Sequence, residues 1–313
     1  MTRNTDDDGI VVLGHPRSGT TLLRRLINLH PNISSPPETH LLSACARFLD
    51  ADMTADGVDM GVLAGLDFSG FSESDVLKEL RQFSFGFLQR IAERKGKARW
   101  AEKTAFDIFH LKNIEKLCED HVYYVAIVRH PLDVAVSCTE FCTSMGTYPS
   151  TLHEYIKRYP QPIEAFAMSW LETTKALMDL GRKRSSRFIM VRYEDIIEDE
   201  NEIMNSVFQF VDEEHGCDQA QSIFNSIPEI GFSDHKSLQE KSIHKKSIDR
   251  WRSLPSPQVK RLGELLNPLL AELGYDEIEN TGEIGTTAAR RRYATSLALH
   301  AAKTNETDDD TKD

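Results

Sequence analysis

The residues with the clearest chemical promise are the run Gly14-His15-Pro16-Arg17-Ser18-Gly19-Thr20-Thr21. It follows a short β-branched run, Gly9 to Leu13, and opens a stretch whose apolar residues (Leu22, Leu23, Leu26, Ile27, Leu29) recur at helical spacing. A glycine-bracketed turn between a strand and a helix aims several backbone N–H groups at one point, where the helix dipole also favours negative charge. Gly14 and Gly19 have the spacing of a nucleotide-triphosphate loop, which calls for a lysine directly after the second glycine. Thr20 stands there instead, and the cation is Arg17. The planar fork of arginine holds two oxygens of one anion, and Thr20 and Thr21 add hydroxyl donors. Further along, Glu38 and His40 are two potential bases two residues apart, Lys103 ends the short run Arg99 to Glu102, and Arg129 ends the apolar run Val122 to Val128.

These groups need a scaffold that gathers them. Gly9–Leu13, Val122–Val128 and Arg187–Tyr193 read as strands, the first two apolar without alternation as expected for strands buried on both faces, and Arg99–Glu102 is a weaker fourth. Helices are expected over Thr20–Leu29, from about Leu41, over Ile163–Leu180 and over Ser256–Leu273, with Pro131 opening another. Strands separated by helices favour a parallel sheet covered on both sides. The carboxyl ends of such strands are where ligands bind, which suits Arg129. The segment Asp50–Lys97 reads as helices with glycine-rich turns, a candidate substrate cap. Its Phe68, Phe71, Phe83, Phe85 and Phe87 suit core packing better than the lining of an apolar pocket.

The loop Pro16-Arg17-Ser18-Gly19-Thr20-Thr21-Leu22 resembles the 5′-phosphosulfate loop of the sulfotransferase superfamily, whose donor is 3′-phosphoadenosine 5′-phosphosulfate. Arginine at Arg17 is similar to the tyrosylprotein and many bacterial members; the cytosolic branch carries lysine. The resemblance implies an α/β, P-loop-like three-layer fold with a central parallel sheet of about four to five strands, and a helical insertion on the substrate side. It implies donor contacts from Arg17, Ser18, Gly19, Thr20 and Thr21. Arg129-His130-Pro131, with Ser137 eight residues after Arg129, is similar to the family's 3′-phosphate motif. The stretch His244 to Trp251 resembles the late basic loop that closes the donor site, which makes Lys245, Lys246 and Ser247 candidates for the same phosphate. The glycine-rich form of that loop is absent. Tyr193 resembles a residue near the adenine, and a core aromatic suits the position equally well.

The resemblance also proposes the catalytic groups. Glu38-Thr39 matches the tyrosylprotein branch, where the glutamate is catalytic, and Glu38-Thr39-His40 matches polyketide-synthase sulfotransferase domains, where the histidine is the base. Both patterns are satisfied. Histidine near its ordinary pKa is the more effective base at neutral pH, which favours His40 with Glu38 orienting it. Lys103 resembles the lysine that neutralises the leaving oxygen, a task shared with Arg17.

The chain has 313 residues, 40% of them apolar, and a net charge of −12, which speaks against nucleic-acid or anionic-membrane partners. No apolar leader precedes the first strand and no run suits a membrane span. Five scattered cysteines fit a reducing, cytoplasmic setting, with Cys138 and Cys142 as packing thiols and no metal site. The expected layout is a polar N-terminus (1–8), a sulfotransferase domain (9–275, with the cap at 50–97), and a C-terminal helix and acidic tail (276–313). The expected acceptor is a hydroxyl of a small molecule or of a carrier-bound biosynthetic intermediate, in a pocket formed by Asp50–Lys97 and Thr139–Pro162. A P-loop nucleotide kinase is the rival reading, disfavoured by the missing loop lysine. A tyrosylprotein- or glycan-type sulfotransferase and a non-catalytic nucleotide-binding module are the others.

Overall fold

The structure, a computed structural model, describes residues 8–159, 161–214 and 247–278. Lys245, Lys246, the basic run Arg290-Arg291-Arg292 and the expected C-terminal helix and tail from residue 279 onward lie outside the described residues. The chain runs β1 (Gly9–Leu13), α1 (Thr20–Leu29), β2 (Ile33–Ser34), α2 (Leu41–Phe48), β3 (Met53–Ala55), β4 (Val58–Met60), α3 (Val62–Phe68), α4 (Glu73–Arg94) and β5 (Arg99–Glu102). A 3₁₀ turn (Asp107–His110) leads to α5 (Leu111–Cys118), β6 (Val122–Val128), α6 (Pro131–Met145), α7 (Ser150–Arg158), α8 (Pro162–Lys183) and β7 (Phe188–Arg192). Then follow α9 (Tyr193–Glu198), α10 (Glu200–Phe210), a 3₁₀ turn (Arg250–Ser253) and α11 (Ser256–Glu272).

Five strands form a wholly parallel sheet in the order β2-β5-β1-β6-β7. Every residue of β1, β5 and β6 is buried, which is why β1 and β6 read as unbroken apolar runs. The chain leaves β1 on one side for β2 and β5, then crosses to the other for β6. The carboxyl ends of β5, β1 and β6 therefore lie side by side at the point where the winding reverses, the preferred ligand site of open α/β sheets. One face of the sheet packs Val11, Leu13, Tyr124 and Ala126 against apolar residues of α2, α4 and α5, including Leu42, Leu88 and Leu117. Glu102 ends β5 fully excluded from solvent, a charged group where an apolar one would be cheaper.

The chain divides into two compact units, Met1–Val128 with Ala176–Ile243, and Arg129–Lys175 with His244–Asp313. Two expectations about residues 50–97, in the first unit, need correction. The segment is not purely helical, because β3 and β4 pair as an antiparallel hairpin. Asp56 and Gly57 join them with φ of 50° and 78°, the left-handed pair that suits an Asp-Gly hairpin turn. Core packing is also not the use of most of the phenylalanines: Phe68, Phe71, Phe83 and Phe87 are exposed, Phe68 at 93%. The buried face of α4 is carried by Val76, Leu77, Ser84, Leu88 and Ala92, so Phe83 and Phe87 fall outside it and pair with each other at 5.2 Å. Phe85 alone turns inward, onto Trp100 at 5.0 Å. In the second unit Cys138 and Cys142 are buried on α6.

Candidate active site

β1 delivers its carboxyl end into the loop Gly14 to Gly19. Gly14 lies so close to β6 that an added Cβ would meet the Ile127 carbonyl oxygen at 2.7 Å. Gly19, the N-cap of α1, has a φ of 100°, and a Cβ there would fall 2.4 Å from the ring of Tyr193. Only glycine fits both demands. No side chain caps α1 and no acidic residue lies in its first turn, so the helix end stays electropositive. Ser18 is fully buried, and its hydroxyl has no hydrogen-bond partner among the described residues. A buried hydroxyl of that kind in a loop of N–H groups fits an oxyanion of a ligand. Arg17 itself adopts a left-handed φ of 72°, a conformation costing about 1–3 kcal/mol that persists only where the loop imposes it. His15 behind it is buried and donates from Nδ1 to the Pro16 carbonyl at 2.8 Å. Burial outweighs that bond and pushes the imidazole pKa down to about 4, so the ring is neutral.

Beside the loop, Lys103 is buried and directs its ammonium to Glu38 Oε1 at 2.6 Å and to Thr21 Oγ1 at 3.3 Å. It therefore ties the first turn of α1 to the candidate base. Glu38 Oε1 also accepts the Ala105 N–H at 3.2 Å. Burial alone would raise the Glu38 pKa, but the Lys103 charge and these hydrogen bonds outweigh it, and the net shift is downward. His40, the N-cap of α2, has a φ of 58°; its side chain is 54% exposed, with Nε2 at 4.0 Å from Glu38 Oε2. Its imidazole does not cap α2.

A second, acidic layer lies beneath. Glu102 Oε1 accepts the Thr39 N–H at 3.2 Å and the Thr104 hydroxyl at 2.8 Å, and Thr104 Oγ1 accepts the His40 N–H at 3.2 Å. Burial, only partly offset by these bonds and by Lys103, pushes the Glu102 pKa up to about 7. Asp107 accepts from the Ser43 hydroxyl and is raised well above its ordinary range by burial and by the charge of Glu102.

In the second unit Arg129 follows β6 directly in the chain, is buried, and donates through Nη2 to the Ser247 carbonyl. Asp133 accepts the N–H groups of Asp249 and Trp251, each at 2.9 Å, and His130 stacks on Trp251 at 5.1 Å. Ser137 is buried on the same helix as Asp133, two turns in.

Residues 9–216 match the sequence model of the Sulfotransferase family. The chain belongs to that family. The chain is 27% identical over 285 residues to the nodulation protein NoeE of Sinorhizobium fredii, covering 85% of this chain and 65% of that one. It therefore spans just under two thirds of that relative's length. It is 22% identical over 287 residues to protein-tyrosine sulfotransferase 2 of Gallus gallus, covering 88% and 71% of the two chains. Among solved structures it resembles the sulfotransferase domain from the curacin biosynthetic pathway (TM-score 0.59, 19% identity, 86% and 98% covered). It also resembles mouse sulfotransferase SULT7A1 complexed with PAP (TM-score 0.51, 16% identity, 84% and 85% covered). These structural likenesses carry the P-loop-like fold.

Within the first unit, the fold brings together Arg17, Ser18, Gly19, Thr20, Thr21, Glu38, Lys103 and Tyr193 around one helix end, with His40 beside Glu38. Arg129, Ser137 and Ser247 lie in the second unit. Lys103 turns past Glu102, its neighbour in the chain, to Glu38. Sequence reasoning missed Glu102 and Thr104 as polar support, and Asp133 as the tether of the Trp251 turn. The one available signal was a glutamate at the end of a strand otherwise buried on both faces. A cavity of about 570 Å³ opens between the insertion and α5, lined among others by Leu49, Asp59, Leu63, His110 and Lys112. Its wall residue Phe109 meets His15 of the loop in a T-shaped ring contact, 5.9 Å between centroids. Among the described residues no helix is long and apolar enough to cross a membrane, and no His/Cys/Asp/Glu group is suited to a metal ion.

Proposed function

We propose that the protein transfers the sulfuryl group of 3′-phosphoadenosine 5′-phosphosulfate to a hydroxyl of a small molecule or of a carrier-bound biosynthetic intermediate. The observation that carries this reading is the join at Lys103. One buried ammonium bonds both the first turn of the anion loop and the carboxylate next to an exposed imidazole. Anion binding and proton removal are thereby set side by side, as an in-line displacement needs.

In this reading the acceptor oxygen attacks sulfur and its proton passes to His40. The bond between sulfur and the bridging phosphate oxygen breaks, and the charge left on that oxygen falls to Arg17, Lys103 and the N–H groups at the start of α1. His40 is favoured over Glu38 as base because the carboxylate pKa is lowered and its charge is already engaged by Lys103. A carboxylate so held is a weak base but a good orienter of the neighbouring ring. Arg17, Ser18, Gly19, Thr20 and Thr21 are the proposed contacts of the 5′-phosphosulfate, and Arg129, Ser137, Lys245, Lys246 and Ser247 those of the 3′-phosphate. Tyr193, which covers Gly19, is the proposed neighbour of the adenine. The PAP complex of SULT7A1 supports a donor of this type. The structural likeness to a domain of the curacin pathway supports a biosynthetic acceptor. The cavity beside Phe109 is the proposed place for the body of that acceptor.

Calorimetric titration with adenosine 3′,5′-bisphosphate and with ATP tests the donor. Binding of the bisphosphate in preference to ATP is expected, and preference for ATP with magnesium would favour a kinase. Transfer is tested by screening hydroxyl acceptors with sulfur-labelled donor and mass-spectrometric readout; bisphosphate binding without transfer to any acceptor would indicate a binding module.

A further inference from the structure

Glu102 and Thr104 have no part in the reaction as written, yet burying a carboxyl at the end of a central strand is expensive unless it is used. Its use here is specific. Glu102 Oε1 receives the Thr39 N–H and the Thr104 hydroxyl, and the oxygen of that hydroxyl receives the His40 N–H. Two consecutive backbone N–H groups are thus fastened to one carboxylate oxygen, the second through a threonine. The residue fastened last is His40, whose left-handed φ of 58° is uncommon for a residue other than glycine. Such a conformation persists only where the surroundings over-determine it. Lys103, between the two, turns instead to Glu38 and Thr21, so the strand end supports the base from one side and the anion loop from the other.

We propose that Glu102 and Thr104 are positioning residues for sulfuryl transfer, their relay to the His40 N–H locking the backbone that sets the imidazole beside Glu38. The inference rests on His40 being the base. It makes the geometry of the base depend on a hydroxyl that never meets the substrate.

The test is a pair of variants at one position. Thr104→Val removes the hydroxyl at nearly constant shape, and Thr104→Ser restores it. With Val, kcat on an acceptor found by the screen should fall about tenfold or more, the order expected when a reacting group drifts by a fraction of an ångström. Donor KM and bisphosphate affinity should stay within about twofold. Exchange of the His40 amide hydrogen, read by NMR, should speed up about tenfold or more, and Ser should recover most of both effects. Should Val fail to fold, Glu102→Gln, which keeps an accepting oxygen, and Glu102→Met, which does not, repeat the comparison one link back. A Val variant with wild-type kcat and wild-type His40 exchange overturns the proposal. So does a loss that Ser does not recover, or one matched by equal loss of bisphosphate affinity. Failure of the unaltered protein to bind the bisphosphate would count against the functional reading instead, and His40 exchange in the Val and Ser variants would still decide the relay.

Discussion

Glu102→Gln offers a quantitative check on the buried layer beneath the site. Glu102 is fully excluded from solvent, and burial raises its pKa from 4.5 to about 7. Lys103 and the bonds from Thr39 and Thr104 pull the other way, and the Glu102 charge in turn raises the pKa of Asp107. The folded protein therefore keeps this proton after the unfolded chain has released it. Between pH 4.5 and 7 the unfolded state binds fewer protons than the folded one, so the contribution is full below pH 4.5 and is lost as pH rises through 7. At about 1.4 kcal/mol per unit, a shift of this size amounts to about 3 kcal/mol in all, of which about 2–3 kcal/mol falls between pH 5 and pH 8. Glutamine keeps the accepting oxygen and does not titrate. Whatever constant cost its amide brings in place of Oε2 cancels when two pH values are compared. The expected result from urea unfolding at pH 5 and pH 8 is that Glu102→Gln becomes more stable relative to wild type by about 2–3 kcal/mol at the higher pH. Parallel pH profiles for the two proteins would refute the reasoning.

Three further outcomes follow from the same geometry. Arg17→Ala should remove both bisphosphate binding and turnover, measured by calorimetry and by labelled-donor assay; retained binding would show that the loop amides suffice without the guanidinium. His40→Ala and Glu38→Ala should spare bisphosphate binding and lower kcat by about two orders of magnitude. They should part in stability, because removing Glu38 strands the buried Lys103 ammonium, a change that costs about 3–5 kcal/mol in buried pairs, whereas the half-exposed His40 leaves nothing stranded. Gly19→Ala should lower the thermal midpoint by several degrees and weaken bisphosphate binding, since its φ of 100° and the Tyr193 ring 2.4 Å from the added Cβ leave no relaxed place for a methyl group. An unchanged midpoint and affinity would mean that the loop is softer than its contacts imply.

Much of this arrangement can be read from the amino acids in order. β1, α1 and β6 fall where apolar run length and glycine placement put them, because a strand buried on both faces cannot alternate and a phosphate-type loop cannot spare its glycines. The Asp56-Gly57 turn is equally legible, since Asp-Gly is a strong local hairpin signal even inside a glycine-rich helical pattern. The surface placement of Phe68, Phe71, Phe83 and Phe87 is not legible in the sequence. Hydrophobicity says that a side chain would gain from burial, and only the packing of α4 decides which of its faces is buried.

What the sequence determined by itself is the chemistry on offer: an anion loop with arginine in place of lysine, a Glu-Thr-His triplet, a lysine after a short strand, and an arginine after a long one. What only the tertiary structure decided is how those groups are coupled. Lys103 could have paired with Glu102, its covalent neighbour; the fold sends it to Glu38, 65 residues earlier, and fastens Glu102 to the Thr39 N–H and the Thr104 hydroxyl. The reason is physical. A buried charge takes whichever partner the converging strand and loop ends bring within about 3 Å, and proximity along the chain carries no information about that distance.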